Sequence, residues 1–278
     1  MDFLRSLWNG SISFGLVNIP IKLYTAASNS DIKFNYLHSV CHTPIKYRKT
    51  CPNCDIEVDD SEIVKGYEFQ RGKYVIMENA ELEAIAPEKS RSIDILDFVR
   101  LKDIDPVYFN RTYYLQPADT GAKAYFLLKQ AMVEKEQIAI AKIVIRSKEN
   151  LAAIRVYKRG LALETMFYPA EIRAINALFD SEEEPVANER ELNMAMALID
   201  NLTTQFQPDQ YINEYQNLLM QTIEKKVAGE HVVPAAAPAP AGKIIDLMAA
   251  LEASVEATGA GSKGSLKRTT KAKAEEIS

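Results

Sequence analysis

The chain has no apolar run approaching the ~20 residues needed to cross a hydrocarbon core, so a membrane span is not expected. Its opening, MDFLRSLWNGS, has no basic stretch followed by a long apolar segment, and no secretory leader is expected either. A cytosolic location is the resulting expectation. Cysteine is scarce: Cys41, Cys51 and Cys54 fall within fourteen positions, and an odd number in a cytosolic chain argues against a disulfide framework. Histidine is equally scarce. His38 and His42 sit beside the cysteines, and His231 lies at the edge of a linker, where it reads as solvated. The phosphate-cradling pattern G-x-x-x-x-G-K-S/T, the G-x-S-x-G elbow and the H-E-x-x-H helix are all missing, and G-x-G-x-x-G spacing occurs only at 259–264, inside a low-complexity segment rather than between a strand and a helix pattern. Carboxylates are plentiful, but no spacing marks a catalytic pair. These absences point away from an enzyme and from a small-molecule substrate.

What is present is a chain of 278 residues, 47% hydrophobic, enough for one sizeable core or one large domain with an appendage. The net charge of -5 and pI of about 5.5 argue against nucleic-acid binding only if averaged over the whole chain. The charge is segregated. Residues 129–160 carry eight Lys and Arg against three Glu, a local +5. Residues 180–191 carry six acids against Arg190 alone, a local -5.

The first 25 residues read as strands. Asn9-Gly10 is a hairpin-turn signal, Ser11–Leu16 and Ile19–Tyr24 are β-rich, and Val17-Asn18 is a second turn signal. Pro20 belongs at a strand start or on an edge. A strand pair is expected over 63–77 around Arg71-Gly72-Lys73, a short helix over 79–86 before Pro87, a strand over 107–116 and a helix over 122–135. A three-strand meander follows at 138–146, 151–159 and 161–168, with turns at 147–150 and at Gly160. After Pro169 the period becomes helical: Leu192, Ala195, Met196, Ile199 and Leu202 form one stripe, and Tyr211, Tyr215, Leu218 and Thr222 a second. Such stripes serve either as core or as a dimer interface.

His38-x2-Cys41-x9-Cys51-x2-Cys54 is the sharpest local signal. Two close pairs of N/S donors can close a tetrahedral zinc site, and Cys51-Pro-Asn-Cys54 has the form of a zinc-ribbon knuckle. His42 is an alternative to His38. Four protein ligands leave no position for water, so the zinc would be structural; reduced thiols without metal are the plainer reading. Zinc-deaminase chemistry needs a Glu two residues after the ligand His and a P-C-x-x-C pair. Here Val40 and Pro44 stand two residues after the histidines, and Thr50 precedes Cys51.

The meander carries the second signal. Period-two alternation puts Lys142, Val144, Arg146 and Lys148 on one face, and Arg155, Tyr157 and Arg159 on one face of the next strand. In the metal region Lys46 and Arg48 alternate with Ile45 and Tyr47. Basic rows on strands suit a phosphate backbone, where contacts release counterions and need no base identity. They equally suit a solvated sheet face.

Residues 232–242, VVPAAAPAPAG, read as a semi-rigid linker. Beyond it, 243–256 places Ile244, Leu247, Met248, Leu251 and Val255 on one face of a helix that is marginal in isolation. It either docks back on the body or folds onto a partner. The last segment, 257–278, is low in complexity, with five basic residues against two acids.

Several longer motifs carry a resemblance. Residues 8–26, WNGSISFGLVNIPIKLYTA, the pair Lys65-Gly66-Tyr67-Glu68 and Gly72-Lys73-Tyr74-Val75, Ile104-Asp105-Pro106-Val107-Tyr108, Tyr113-Tyr114-Leu115, and Ala139–Arg146 running on to Glu164 resemble bacterial Ku proteins, in order, over about 5–225. The resemblance implies an α+β fold, a mainly β Ku-type core β-barrel with helical arms and a flexible C-terminal tail, to which the Cys/His spacing adds a zinc-ribbon-like insertion. It implies a homodimeric ring whose basic channel threads double-stranded DNA ends, and a C-terminal segment that recruits ligase D. The corresponding division is a core over 1–229 (zinc-ribbon-like segment about 35–60, basic meander 138–168, helical arm 170–228), linker 230–242, partner-binding helix 243–256 and basic tail 257–278. On this reading Lys46, Arg48, Lys142, Arg146, Lys148, Arg155 and Arg159 face DNA. Ile244, Leu247, Met248, Leu251 and Val255 face the ligase, His38, Cys41, Cys51 and Cys54 hold zinc, and the protein is a nucleoid-associated scaffold without chemistry of its own. The competing readings are a zinc-dependent nuclease and a zinc-ribbon adaptor that binds only proteins.

Overall fold

The computed structural model describes residues 5–29, 31–85, 91–118, 120–145, 147–178, 188–229, 251–252 and 254–255. Arg146, Ile244, Leu247 and Met248, most of the acidic stretch 180–191, the linker and the basic tail lie outside the described residues. The chain divides into two compact units, Met1–Ala177 and Leu178–Ser278.

The first unit is built on β1 (Trp8–Phe14), β2 (Val17–Thr25), β3 (Thr50–Cys51), β4 (Ile56–Glu57), β5 (Lys65–Gln70), β6 (Lys73–Met77), α1 (Asn79–Ala84), β7 (Ser92–Val99), β8 (Phe109–Pro117), α2 (Ala122–Lys135), β9 (Ile138–Ile145), β10 (Lys148–Tyr157) and β11 (Gly160–Met166). Seven of these strands close a barrel in the order β1-β2-β8-β11-β10-β9-β7. Six pairings are antiparallel, and β1 meets β7 in parallel through Ser11↔Ser92 to Ser13↔Asp94. Alternate residues fill the interior: Ile12, Ile19, Ile21, Leu23, Ile93, Leu115, Ala141, Ile143, Ile154, Leu161 and Leu163 belong to one buried cluster. The small Ala139, Ala141 and Ala152 leave room for these larger chains. Helix α2 adds Tyr125, Leu128 and Met132 to that cluster from one face. The Tyr125 hydroxyl donates to the Leu115 carbonyl at 2.6 Å and accepts from the Leu161 amide at 2.7 Å, so it sits within the β8–β11 pairing.

Several local expectations change. Asn9-Gly10 is not a turn; both residues lie inside β1, opposite Lys22 and Ile21. Glycine is needed there because a Cβ would collide with the Arg91 carbonyl and the Trp8 ring. The turn falls at Gly15-Leu16, with Gly15 at φ 59°, rather than at Val17-Asn18. Pro20 lies within β2 rather than at its start, one residue beyond the end of the β2–β8 ladder. Its carbonyl accepts from the Ala118 amide on that side, so the missing N–H costs no ladder bond. Strand β10 begins at Lys148, and the turn expected over 147–150 narrows to the residues around Ser147, φ 63°. Gly160 opens β11, and Lys158-Arg159 is the turn, with Lys158 at φ 48°. Strand β7 was not expected.

In the second unit, α3 (Glu189–Leu202) and α4 (Glu214–Val227) match the two helical stripes. The α4 stripe begins later than its period implied. The Asn213 side chain accepts from the Gln216 amide at 3.0 Å and caps the helix, leaving Tyr211 and Ile212 outside it. Among the described residues no helix is long and apolar enough to cross a membrane.

Candidate nucleic-acid interface

The outward residues of the barrel strands carry the charge, since the interior is apolar. The structure does not gather the expected basic residues into one row. It divides the described ones into three groups.

The first group lies where β10 meets β11. Arg155 stands opposite Ala162, two positions along from the Ala153↔Glu164 pair and on the same face, and its Nη2 and Nε reach Glu164 Oε1 at 2.6 and 2.9 Å. Only 25% and 10% of these side chains are exposed. Arg155 also lies 5.2 Å from the Tyr157 ring centroid, and Lys158 Nζ 5.4 Å from it. Tyr157 stacks on Tyr114 at 5.9 Å, and Tyr114 is paired in register with Tyr24. Arg159 occupies the exposed turn instead of a strand face, and its carbonyl accepts from Lys129 Nζ at 3.1 Å. Neither Lys158 nor Arg159 has a carboxylate partner among the described residues.

The second group lies toward the opposite end of β10. Lys142 pairs with Glu149 at 3.1 Å, and the Tyr168 hydroxyl donates to the same carboxylate at 3.1 Å. The hydrogen bond and charge of Glu149 raise the Lys142 pKa. Lys142, then Tyr168, hold the Glu149 carboxyl below its usual range. Lys148 reaches Glu171 at 3.8 Å. Here the barrel end opens into a polar cleft of about 390 Å³ whose lining includes Arg111, Lys148, Asn110 and Asn150. The third group is Lys46 and Arg48, both exposed, with Arg48 paired to Glu57 at 2.9 Å.

Sequence reasoning missed Lys158, Lys129, Arg111 and the Tyr114 platform. The adjacent Lys158-Arg159 pair was a legible signal. Arg111 was not, because nothing local separates it from an ordinary surface arginine.

The Cys/His residues fall on two turns of matching form. At the first, an isolated bridge between Leu37 and Pro44 closes the loop, His42 is left-handed at φ 54°, and its amide donates to the His38 carbonyl at 2.8 Å. At the second, β3 and β4 close the loop, Asp55 is left-handed at φ 52°, and its amide donates to the Cys51 carbonyl at 2.9 Å. Each turn therefore folds its two donors, three positions apart, toward one another. His38 Nδ1 lies 3.1 Å from Cys41 Sγ. Hydrogen bonds from the Thr43 side chain and backbone, with His38, hold the Cys41 thiol down at about 7. The Cys54 backbone lowers Cys51, and Cys54 is raised by its hydrogen bond with Cys51. As pairs, these donors fit two halves of a metal site. Among the described residues no three His, Cys, Asp or Glu side chains form one metal-sized cluster.

Comparison with known proteins gives a consistent result. The family model described as the Ku70/Ku80 beta-barrel domain matches residues 13–194. Similar curated proteins include one from Heliobacterium modesticaldum, 49% identical over 91% of this chain and 92% of that protein. One from Bacillus subtilis is 43% identical over 92% and 83%. One from Symbiobacterium thermophilum is 48% identical over 94% of this chain but spans 65% of the relative's own length. Each is named "Non-homologous end joining protein Ku".

Proposed function

The chain belongs to the Ku family, and from that premise we propose that it binds ends of double-stranded DNA as a homodimer, without sequence preference, in non-homologous end joining. The observation that carries this reading is the closed barrel of the matched family model, with cations on its outside. Lys158 and Arg159, without a carboxylate partner among the described residues, sit on a turn beside Tyr157 and Tyr114 and suit backbone phosphates better than base edges, since a two-residue turn offers no element to enter a groove.

A homodimer is favoured by apolar surface that single chains rarely leave open. On β5 and β6, Tyr67, Phe69, Tyr74, Val75 and Ile76 are all exposed, and an isolated two-stranded hairpin is marginal without a partner surface. On α3, Leu192, Met196, Ile199 and Leu202 are exposed in one stripe. A second copy burying these faces would complete a ring that admits duplex DNA only from an end.

Within this reading His38, Cys41, Cys51 and Cys54 would hold zinc, which would supply a cross-link between the two turns. The segment carrying Ile244, Leu247, Met248, Leu251 and Val255 recruits ligase D. The protein then acts as a nucleoid-associated scaffold that raises the local ligase concentration at a break.

The deciding experiment is a gel-shift titration of linear duplex against the same duplex with both ends closed by bulky hairpins. Binding of the open form alone is expected. Equal binding of both forms would make this a general basic DNA binder and end the threading reading.

A further inference from the structure

In the second unit, Leu251, Glu252, Ser254 and Val255 are helical, and Leu251 and Val255 are half-buried. Arg190 Nη2 lies 3.5 Å from Glu252 Oε1. Val255 lines a groove along α3 together with Asn193, Met194 and Ala197. The half-covered positions of α3 are Glu191, Met194, Ala195 and Leu198, one helical stripe distinct from its exposed one.

We propose that this groove on α3 is the resting seat of the chain's own 243–256 segment, and that recruitment of a partner must first lift the segment off it. Three features select this occupant. Arg190 is the single cation of the otherwise acidic 180–191 stretch, and the segment brings a carboxylate, Glu252, to that residue. The seat accepts Val255 beside Met194 and Ala197, an apolar match for the segment's apolar face. The 21 residues between Gly229 and Leu251 are ample chain for a return, even with a proline-rich stretch at ~3.1 Å per residue.

The consequence for recruitment rests on the ligase reading above. By helical period in the sequence, Leu251 and Val255 share a face with Ile244, Leu247 and Met248, so one face cannot serve α3 and a ligase together. A helix this short is marginal alone. Docking keeps it folded and shields its apolar face, and binding must exceed the free energy of the docked state before it shows as affinity.

Amide hydrogen exchange on the full-length protein tests the seat without any ligase. Backbone amides of 243–256 are expected to exchange up to about tenfold more slowly in wild type than in Val255→Asp or Arg190→Glu. The charge-swapped Arg190→Glu/Glu252→Arg pair should restore part of the protection. Arg190 has 76% of its side chain exposed, so its replacement leaves α3 folded. Equally fast exchange in wild type and variants would overturn the seat. Titration of purified ligase D with the wild type and Arg190→Glu tests the release step, with tighter binding to the variant expected, roughly twofold to fivefold for one exposed ion pair. Equal affinity would overturn the competition and leave recruitment standing, whereas no binding to either would count against recruitment and leave the exchange result intact.

Discussion

Arg155 and Glu164 form a two-pronged ion pair across β10 and β11, Nη2 and Nε both on Oε1, with the carboxylate side chain only 10% exposed. A charge that satisfies a nearly buried carboxylate is not free to bind phosphate. Of the six described residues first expected to face DNA, Arg155, Lys142, Lys148 and Arg48 are all paired with carboxylates, and Lys46 and Arg159 have no such partner among the described residues.

Glu164→Ala should therefore destabilise the barrel rather than alter DNA recognition directly. It leaves the Arg155 guanidinium partly desolvated and without its partner, which costs about 1–3 kcal/mol. Urea denaturation should show a lower midpoint with unchanged slope. An unchanged midpoint would mean that solvent replaces the carboxylate at no cost.

Lys158→Glu with Arg159→Glu should weaken binding to linear duplex by about tenfold or more at ~0.1 M salt, where the Debye length is ~10 Å. The salt dependence should flatten by roughly two phosphate contacts, since each contributes about -0.9 to the slope. Lys142→Glu should have the smaller effect, because Glu149 already neutralises that ammonium. The reverse order, with Lys142 dominant, would move the interface to the polar end of the barrel.

Glu149 gives a pH signature. Its carboxyl is held below 4.5 by Lys142 and Tyr168 in the folded state. A depressed folded pKa contributes stability that is present above the unfolded value and lost as pH falls through the folded one. The melting-temperature gap between wild type and Glu149→Gln should thus be open at pH 6 and close as pH falls below about 4.5. A gap that persists undiminished under acid would assign the effect to packing instead.

The two cysteine turns were legible because each is local: donor spacing and the left-handed residue after it lie within five positions. Removing one donor tests whether zinc joins them. Cys51→Ser or Cys54→Ser should lose about one zinc per chain by elemental analysis. Metal-free wild type would reduce the site to paired thiols.

Elsewhere, legibility followed sequence distance. Helix α2 and the β5–β6 pair around Arg71-Gly72 could be placed from local sequence, since both are made within fifteen residues. Asn9-Gly10 misled because Gly10 serves a close approach to Arg91, about eighty positions away. Strand β7 was hidden because a register shift between Ile95 and Asp97 breaks its alternation. The Arg155–Glu164 pair depends on strand register, so alternation could place Arg155 on a face but could not reveal that its charge was already engaged.

Truncation after Ala241 separates the barrel's work from the tail's. The deletion removes 243–256 and the basic segment together, and neither belongs to the closed barrel. DNA-end affinity should stay within about twofold of wild type, because the removed residues 242–278 carry six basic side chains against five acids and so take away little net charge. Ligase D-dependent joining of linear DNA should fall to the level seen without this protein, since tethering is lost. The same deletion leaves the α3 groove along Met194 and Ala197 without Val255, so the truncated chain should also self-associate more readily in sedimentation experiments. If joining survives, recruitment belongs to the folded units, and the apolar face of 243–256 serves only its seat on α3.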